Sequence, residues 1–202
     1  MSLAQSTLPL ARARPHARRL RGRVRSALAF ALTALALALA TPARAEAPDG
    51  NAIKADMLCN MAKFVQWPEG VIAQNRGQLV VSILGEDELA ATIASVLSTR
   101  SVNGKPVFVR FARRVQDLKG SQIVYIASSE AEHFDEITTA LRGTPTLTLS
   151  DTDGFAQHGG MMNFTGTPPR VRFEISLARA EQAGLRISSR LLAIAHVVDG
   201  TP

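Results

Sequence analysis

The sequence predicts an α/β fold: three layers, with a mostly parallel sheet, helices on both of its faces and an antiparallel hairpin near the C-terminus. Leu79–Leu84 and Ile123–Ile126 are almost wholly apolar runs, as expected of strands covered on both sides. Stripes of apolar residues at helical spacing lie between the strand candidates, and strand–helix alternation builds parallel sheets. Met161–Thr165 and Arg170–Leu177 then follow one another around Gly166-Thr167-Pro168-Pro169, the pattern of a hairpin.

The first 45 residues differ from the rest. Seven arginines between Arg12 and Arg25 precede Ala27–Ala40, 14 residues of Ala, Leu, Phe and one Thr, and Ala43-Arg44-Ala45 supplies a small-x-small cut site. That order of regions is a secretory signal peptide, cleaved after Ala45. The rival, a membrane anchor, fits poorly: the apolar run would extend about 21 Å as a helix, against a hydrocarbon core of ~30 Å. Arg18-Arg19 is a weak twin-arginine signal, so general secretion is the expected route and the periplasm the expected compartment. Residues 46–202 are then a single domain, long enough to bury a core without covalent staples.

Removing the leader reverses the charge. It holds eight of the 23 basic residues and none of the 17 acidic ones, leaving 15 against 17. The high pI belongs to the leader, so a nucleic-acid partner loses its electrostatic footing. Cys59 is the only cysteine; beside Met57, Leu58 and Met61 it reads as a buried thiol, with an intermolecular bridge as the alternative.

Along the domain, Ile53, Met57, Met61, Phe64 and Val65 mark a helix that Trp67-Pro68 ends. Leu89, Ile93, Val96 and Leu97 mark a second. Asn103-Gly104 turns the chain into a β-rich segment, Pro106–Phe111. Ser129 and Glu132 have the spacing of a capping box for a helix carrying Phe134, Ile137, Thr138 and Leu141 and ending at Gly143. Leu147 and Leu149 alternate with Thr146 and Thr148 in a short, half-exposed strand, and Asp151-Thr152-Asp153-Gly154 is turn chemistry. Val171, Phe173, Ile175 and Leu177 alternate with Arg170, Arg172, Glu174 and Ser176. A helix over about 188–198 closes the chain, burying Leu191, Leu192, Ala195 and Val198.

Catalytic and metal chemistry find little support. His133, His158 and His196 share no metal-ligand spacing. Ser150, Asp151 or Asp153, and His158 could be assembled into a nucleophile set, but without the G-x-S-x-G elbow. Met162 stands where a calcium loop starting at Asp151 needs its bidentate acid, and no phosphate cradle follows Gly85. No enzyme, metal or cofactor is indicated. Gly159-Gly160 reads as a tight strand start packed against a neighbour, or as the edge of a recognition groove formed with Phe155. Trp67 reads as a core plug before a partner anchor, and Arg172 with Glu174 as a solvated ion pair before a recognition site.

Segments spread over most of the domain resemble the YfiR family of periplasmic proteins. They are Lys63-Phe64-Val65-Gln66-Trp67-Pro68, the strand closing in Gly85, Ile123–Glu130 and Leu147–Asp151, then Phe155, Gly159-Gly160-Met161-Met162-Asn163-Phe164, Val171–Ile175 and Ser188-Ser189-Arg190-Leu191-Leu192. The resemblance implies a protein that represses an inner-membrane diguanylate cyclase through its periplasmic sensor region. It would thereby lower cyclic di-GMP and biofilm formation, with an outer-membrane-linked competitor among its partners and homodimerisation left open. It singles out Trp67, Pro68, Phe155, Gly159, Gly160, Asn163, Phe164, Arg172, Glu174 and Arg190 as partner-binding or motif candidates. The family's named repressor carries disulfides, which a lone Cys59 cannot form internally. A small-molecule-binding module feeding a sensor kinase or cyclase, with its pocket near Gly159-Gly160, is the second reading.

Overall fold

The computed structural model describes residues 49–167 and 170–198; the leader and its cut site lie outside the described residues. Helix α1 (Gly50–Ala62) leads into strand β1 (Val65–Gln66), and β2 (Leu79–Leu84), α2 (Glu88–Leu97), β3 (Ser101–Val102) and β4 (Lys105–Ala112) follow. After β5 (Ile123–Ile126) come α3 (Phe134–Ala140), β6 (Leu147–Ser150), β7 (Met162–Thr165), β8 (Arg172–Ser176) and α4 (Leu177–Gln182). The chain ends in β9 (Arg186–Ile187), α5 (Ser189–Leu192) and β10 (His196–Val198).

Eight strands form one sheet in the order β10-β8-β7-β6-β5-β2-β4-β3. β4, β2, β5, β6 and β7 run parallel. β7–β8 is the expected antiparallel hairpin, pairing Met162 with Ile175 and Thr165 with Arg172. From β2 the chain crosses one way to β4, and from β5 the other way to β6. Because crossovers are right-handed, α2 and α3 fall on opposite faces, giving three layers.

Residue parity assigns the strand side chains to these faces. Leu79, Val81, Ile83, Ile123, Tyr125, Leu147, Leu149, Phe164 and Ile175 join Leu58 and Cys59 of α1 and Ile93 of α2 in the larger core. On the second face Leu84, Val124 and Ile126 pack with Phe134, Ile137 and Phe155. Cys59 is buried, as its neighbours predicted.

Three elements differ from expectation. The closing helix stops at Leu192, and His196-Val197-Val198 is a strand paired parallel with β8. One helical turn of apolar spacing could not outweigh the strand preference of consecutive valines. His196 is therefore an exposed edge-strand residue, not a helix histidine. Ser129 does not cap a helix: Ser128–His133 is 3₁₀, without a side-chain cap, and the Ser129 hydroxyl accepts the Glu86 N–H at 2.9 Å instead. Finally, β6 is buried on both faces, Thr148 and Ser150 included. A central strand buries its polar side chains wherever they can bond, as the Ser150 hydroxyl does to the Ile126 carbonyl at 2.8 Å.

Candidate functional site

In an open α/β sheet, ligands usually sit outside the carboxyl ends of the strands, where the strand order reverses. Here that place lies between β2 and β5, and the protein's own groups fill it. A Cβ added to Gly85 would stand 2.5 Å from the Ser129 hydroxyl oxygen and 2.7 Å from Cγ of Glu130. Asp87 is the hub. Its carboxylate accepts from the Ala90 N–H at 2.6 Å, which caps α2, and from the Tyr125 hydroxyl and the Ser128 N–H, both at 2.9 Å. Burial, together with the charges of Asp87 and Asp151, pushes Tyr125 far above the usual phenol range, so it holds its proton. Alongside, Lys54 of α1 reaches both oxygens of Asp151 at 2.8 Å, pinning the helix over the end of β6.

The Gly159-Gly160 segment is likewise packed. Gly159 has φ +94°, and a Cβ on Gly160 would overlap the Phe155 ring, which meets Phe134 edge-on at 4.9 Å. The neighbouring cavity, lined by Thr138, Thr148, Gly159, Met161 and Arg179, measures about 20 Å³. That is room for one water and far below the ~300 Å³ at which small-molecule pockets begin. Of the two readings of this segment, the tight strand start describes the geometry.

An apolar groove lies elsewhere. Ile53, Met57, Met61 and Phe64 on the α1 side face Phe173, Leu191 and Ile194 across a volume of about 390 Å³. Ile194 is 73 % exposed at the edge of this groove, which makes it part of an apolar patch and not a lone surface aliphatic. Two of the motif segments converge to build it: the Ser188 N–H donates to the Phe64 carbonyl at 2.9 Å, and β1 pairs with β9 through Val65–Ile187. Of the predicted stripe, Met61 and Val65 are buried in the core with Ala55, Leu58, Cys59 and Ala62, while Ile53, Met57 and Phe64 are half-buried along the groove. The signal was present: α1 carries apolar residues around more than one face, wider than a single buried stripe requires.

The candidate residues divide into three groups. Arg172 and Glu174 line a polar hollow of about 460 Å³ that adjoins the groove through Phe173 and Ile194, and exposed Arg190 precedes the groove residue Leu191. They do not form the expected ion pair: Glu174 accepts from the Gln157 amide at 3.1 Å, and Arg172 stands across from Thr165. Trp67 is the anticipated plug, its indole N–H donating to the Gln122 carbonyl at 3.1 Å, with Pro68 exposed beside Gly184. Phe155, Gly160, Asn163 and Phe164 are buried. Asn163 is fully buried, with neither amide atom hydrogen-bonded. Leu191 is buried, as expected; sequence reasoning missed Ile194 as a surface residue, and Lys54 and Asp151 as a pair.

Among the described residues there is no cluster of three His, Cys, Asp or Glu able to hold a metal, and no helix is long and apolar enough to cross a membrane. Two solved structures are similar. One is a conserved domain protein of Vibrio cholerae O1 biovar El Tor (12 % identity, 75 % of this chain and 60 % of that one, TM-score 0.46). The other is the ABC domain in complex with L-Trp of Streptococcus pneumoniae (11 % identity, 68 % and 62 %, TM-score 0.47). The chain thus spans about 60 % of the length of those solved chains. No curated protein sequence matches the chain. The YfiR/HmsC-like family model matches residues 51–196, which takes in every described strand except the last two residues of β10. The chain belongs to the YfiR/HmsC-like family, whose members are periplasmic and serve as regulators in cyclic di-GMP signalling.

Proposed function

We propose that this chain is exported, cleaved after Ala45, and represses an inner-membrane diguanylate cyclase by seating part of the enzyme's periplasmic region in the groove between α1 and α5. The observation that carries the proposal is a contrast. The ligand position of the sheet is filled by Ser129, Glu130 and the Asp87 network, while an apolar groove with an exposed Ile194 is left open to a macromolecule. Apolar surface of that kind favours protein contact. Trp67 and Pro68 follow β1 beside the groove, and exposed Arg190 supplies a charged rim to its apolar floor, the usual anatomy of an interface. Arg172 and Glu174 instead point to the opposite face of the sheet, where Glu174 meets Gln157.

Repression of this kind breaks no bond. A protein that binds the inactive conformation of the cyclase a hundredfold more tightly, about 2.7 kcal/mol, shifts the enzyme's equilibrium by that factor. An outer-membrane-linked competitor for the same groove would release it. The test is cellular. Deleting the gene raises cyclic di-GMP and biofilm, the wild-type gene restores both, and Ile194→Asp fails to restore them although the protein accumulates normally. Full complementation by Ile194→Asp would rule the groove out.

A further inference from the structure

We propose that Met57 is an oxidation site, where hypochlorous acid converts the thioether to the sulfoxide and so turns the groove against apolar partners. The site itself rests on exposure and chemistry; its regulatory consequence rests on the groove being the partner site. The sequence has five methionines and one cysteine, and Met1 belongs to the leader. In the domain, Met61 is 3 % exposed, Met161 6 %, Met162 0 % and Cys59 6 %. Met57 is the one sulfur-bearing side chain among the described residues that is not buried, and it lies where α1 borders the groove. Susceptibility of sulfur to oxidation follows exposure, so an oxidant arriving from solvent meets Met57 first. The Cys59 thiol, which would compete for it, is shielded within the main core.

The position of Met57 gives the change a consequence. Ile53, Met61 and Phe64 stand four residues before it, four after it and seven after it, on one side of α1, and Phe173, Leu191 and Ile194 lie across the groove. None of these side chains can donate a hydrogen bond. The polar lining residues, Asp56 and Asn60, are exposed, and they accept from Arg100 at 2.7 Å and from Lys63 at 2.9 Å. In the free protein water solvates a sulfoxide oxygen at Met57. An apolar segment seated there strips that water and offers no donor in its place, which disfavours the complex and not the fold. Methionine-lined binding surfaces are sensitive to oxidation for this reason.

In the chemical step the thioether sulfur attacks the chlorine of hypochlorous acid and hydroxide departs. Water then displaces chloride from sulfur and loses two protons, one of them to the hydroxide. Sulfur is oxidised by two electrons and chlorine is reduced to chloride. A methionine sulfoxide reductase reverses the change, releasing the oxygen as water while its own dithiol closes to a disulfide.

The experiment treats the mature protein with up to one equivalent of hypochlorous acid and maps the products by peptide mass spectrometry. Treated and untreated protein are then titrated with the cyclase's periplasmic region. The expected result is one oxygen atom added at Met57 at least tenfold ahead of Met61, Met161 and Met162, an unchanged thermal transition, and binding at least tenfold weaker. Methionine sulfoxide reductase should restore the binding. Whatever affinity Met57→Leu starts from, the oxidant should change it by less than twofold. Oxidation that reaches Cys59, Trp67 or another methionine first would overturn the site. Full binding by protein oxidised at Met57, a loss that the reductase does not reverse, or an equal loss in Met57→Leu would overturn the regulation. No binding by untreated protein would sink the groove reading and the regulation with it, and the mass map would still decide the site.

Discussion

The two faces of the sheet are built on different principles. The face under α1 and α2 is apolar at nearly every strand position, from Leu79 through Tyr125 to Ile175. The face under α3 and the Phe155–Gly160 loop carries buried Ser82, Thr148, Ser150, Asn163 and Ser176 among its apolar residues. Most of these polar groups tie loops to strands: Thr148 accepts the Met161 N–H at 3.0 Å, and the Ser82 and Ser121 hydroxyls share a 2.6 Å bond. The first face draws its stability from area removed from water, and the Tyr125 hydroxyl within it is bonded to Asp87. The second holds connections in place, and its side chains matter by what they bond.

The sharpest way to break that contrast is to put an amide into the apolar face. Leu149→Asn should cost about 4 kcal/mol or more, combining a lost buried leucine with an unpaired amide, visible as a large loss in the denaturant midpoint. Next comes the loop on the second face: Gly160→Ala drives a methyl into the Phe155 ring and should cost about 2–3 kcal/mol, with protease sensitivity rising between residues 152 and 160. Tyr125→Phe removes a bond to the Asp87 carboxylate and should cost about 1–2 kcal/mol at neutral pH. Since the folded state raises the Tyr125 pKa above its usual 10.0, the unfolded chain loses that proton first. Wild-type stability should therefore be whole below pH 10 and fall above it, and the variant should lose less on the same alkaline titration. Smallest of all, Asn163→Leu should change stability by less than about 1 kcal/mol, because a fully buried amide that bonds nothing can be replaced by an apolar group of its own size. A loss of several kcal/mol there would place hidden partners on the second face and erase the distinction.

The same contrast explains what could be read from the chain. Leu79–Leu84 and Ile123–Ile126 announced themselves because central strands buried on both faces leave little but apolar residues. The alternation from Arg172 to Ser176 likewise gave the hairpin. The second face misled: Thr146 and Thr148 look like solvent-facing residues in sequence, and only the tertiary partners, the Ser121 carbonyl and the Met161 N–H, show why they are buried. Asp87 was unreadable for a related reason, since its bonds to Tyr125 and Ser128 cross about forty residues of chain. The groove was half legible. Its α1 wall stood out as a helical stripe, but the other wall depends on Ser188 bonding Phe64, and on Ile194 lying just past a one-turn helix, Ser189–Leu192, that spacing alone extended too far.

The groove claim is tested most directly by isothermal titration of the cyclase's periplasmic region into the wild-type protein and into Ile194→Asp and Met57→Asp. The account predicts a one-to-one complex of micromolar affinity or better with the wild type, and a loss of at least a hundredfold in both variants with their thermal transitions unchanged. Equal affinity for all three proteins, or no heat of binding at all, would contradict it.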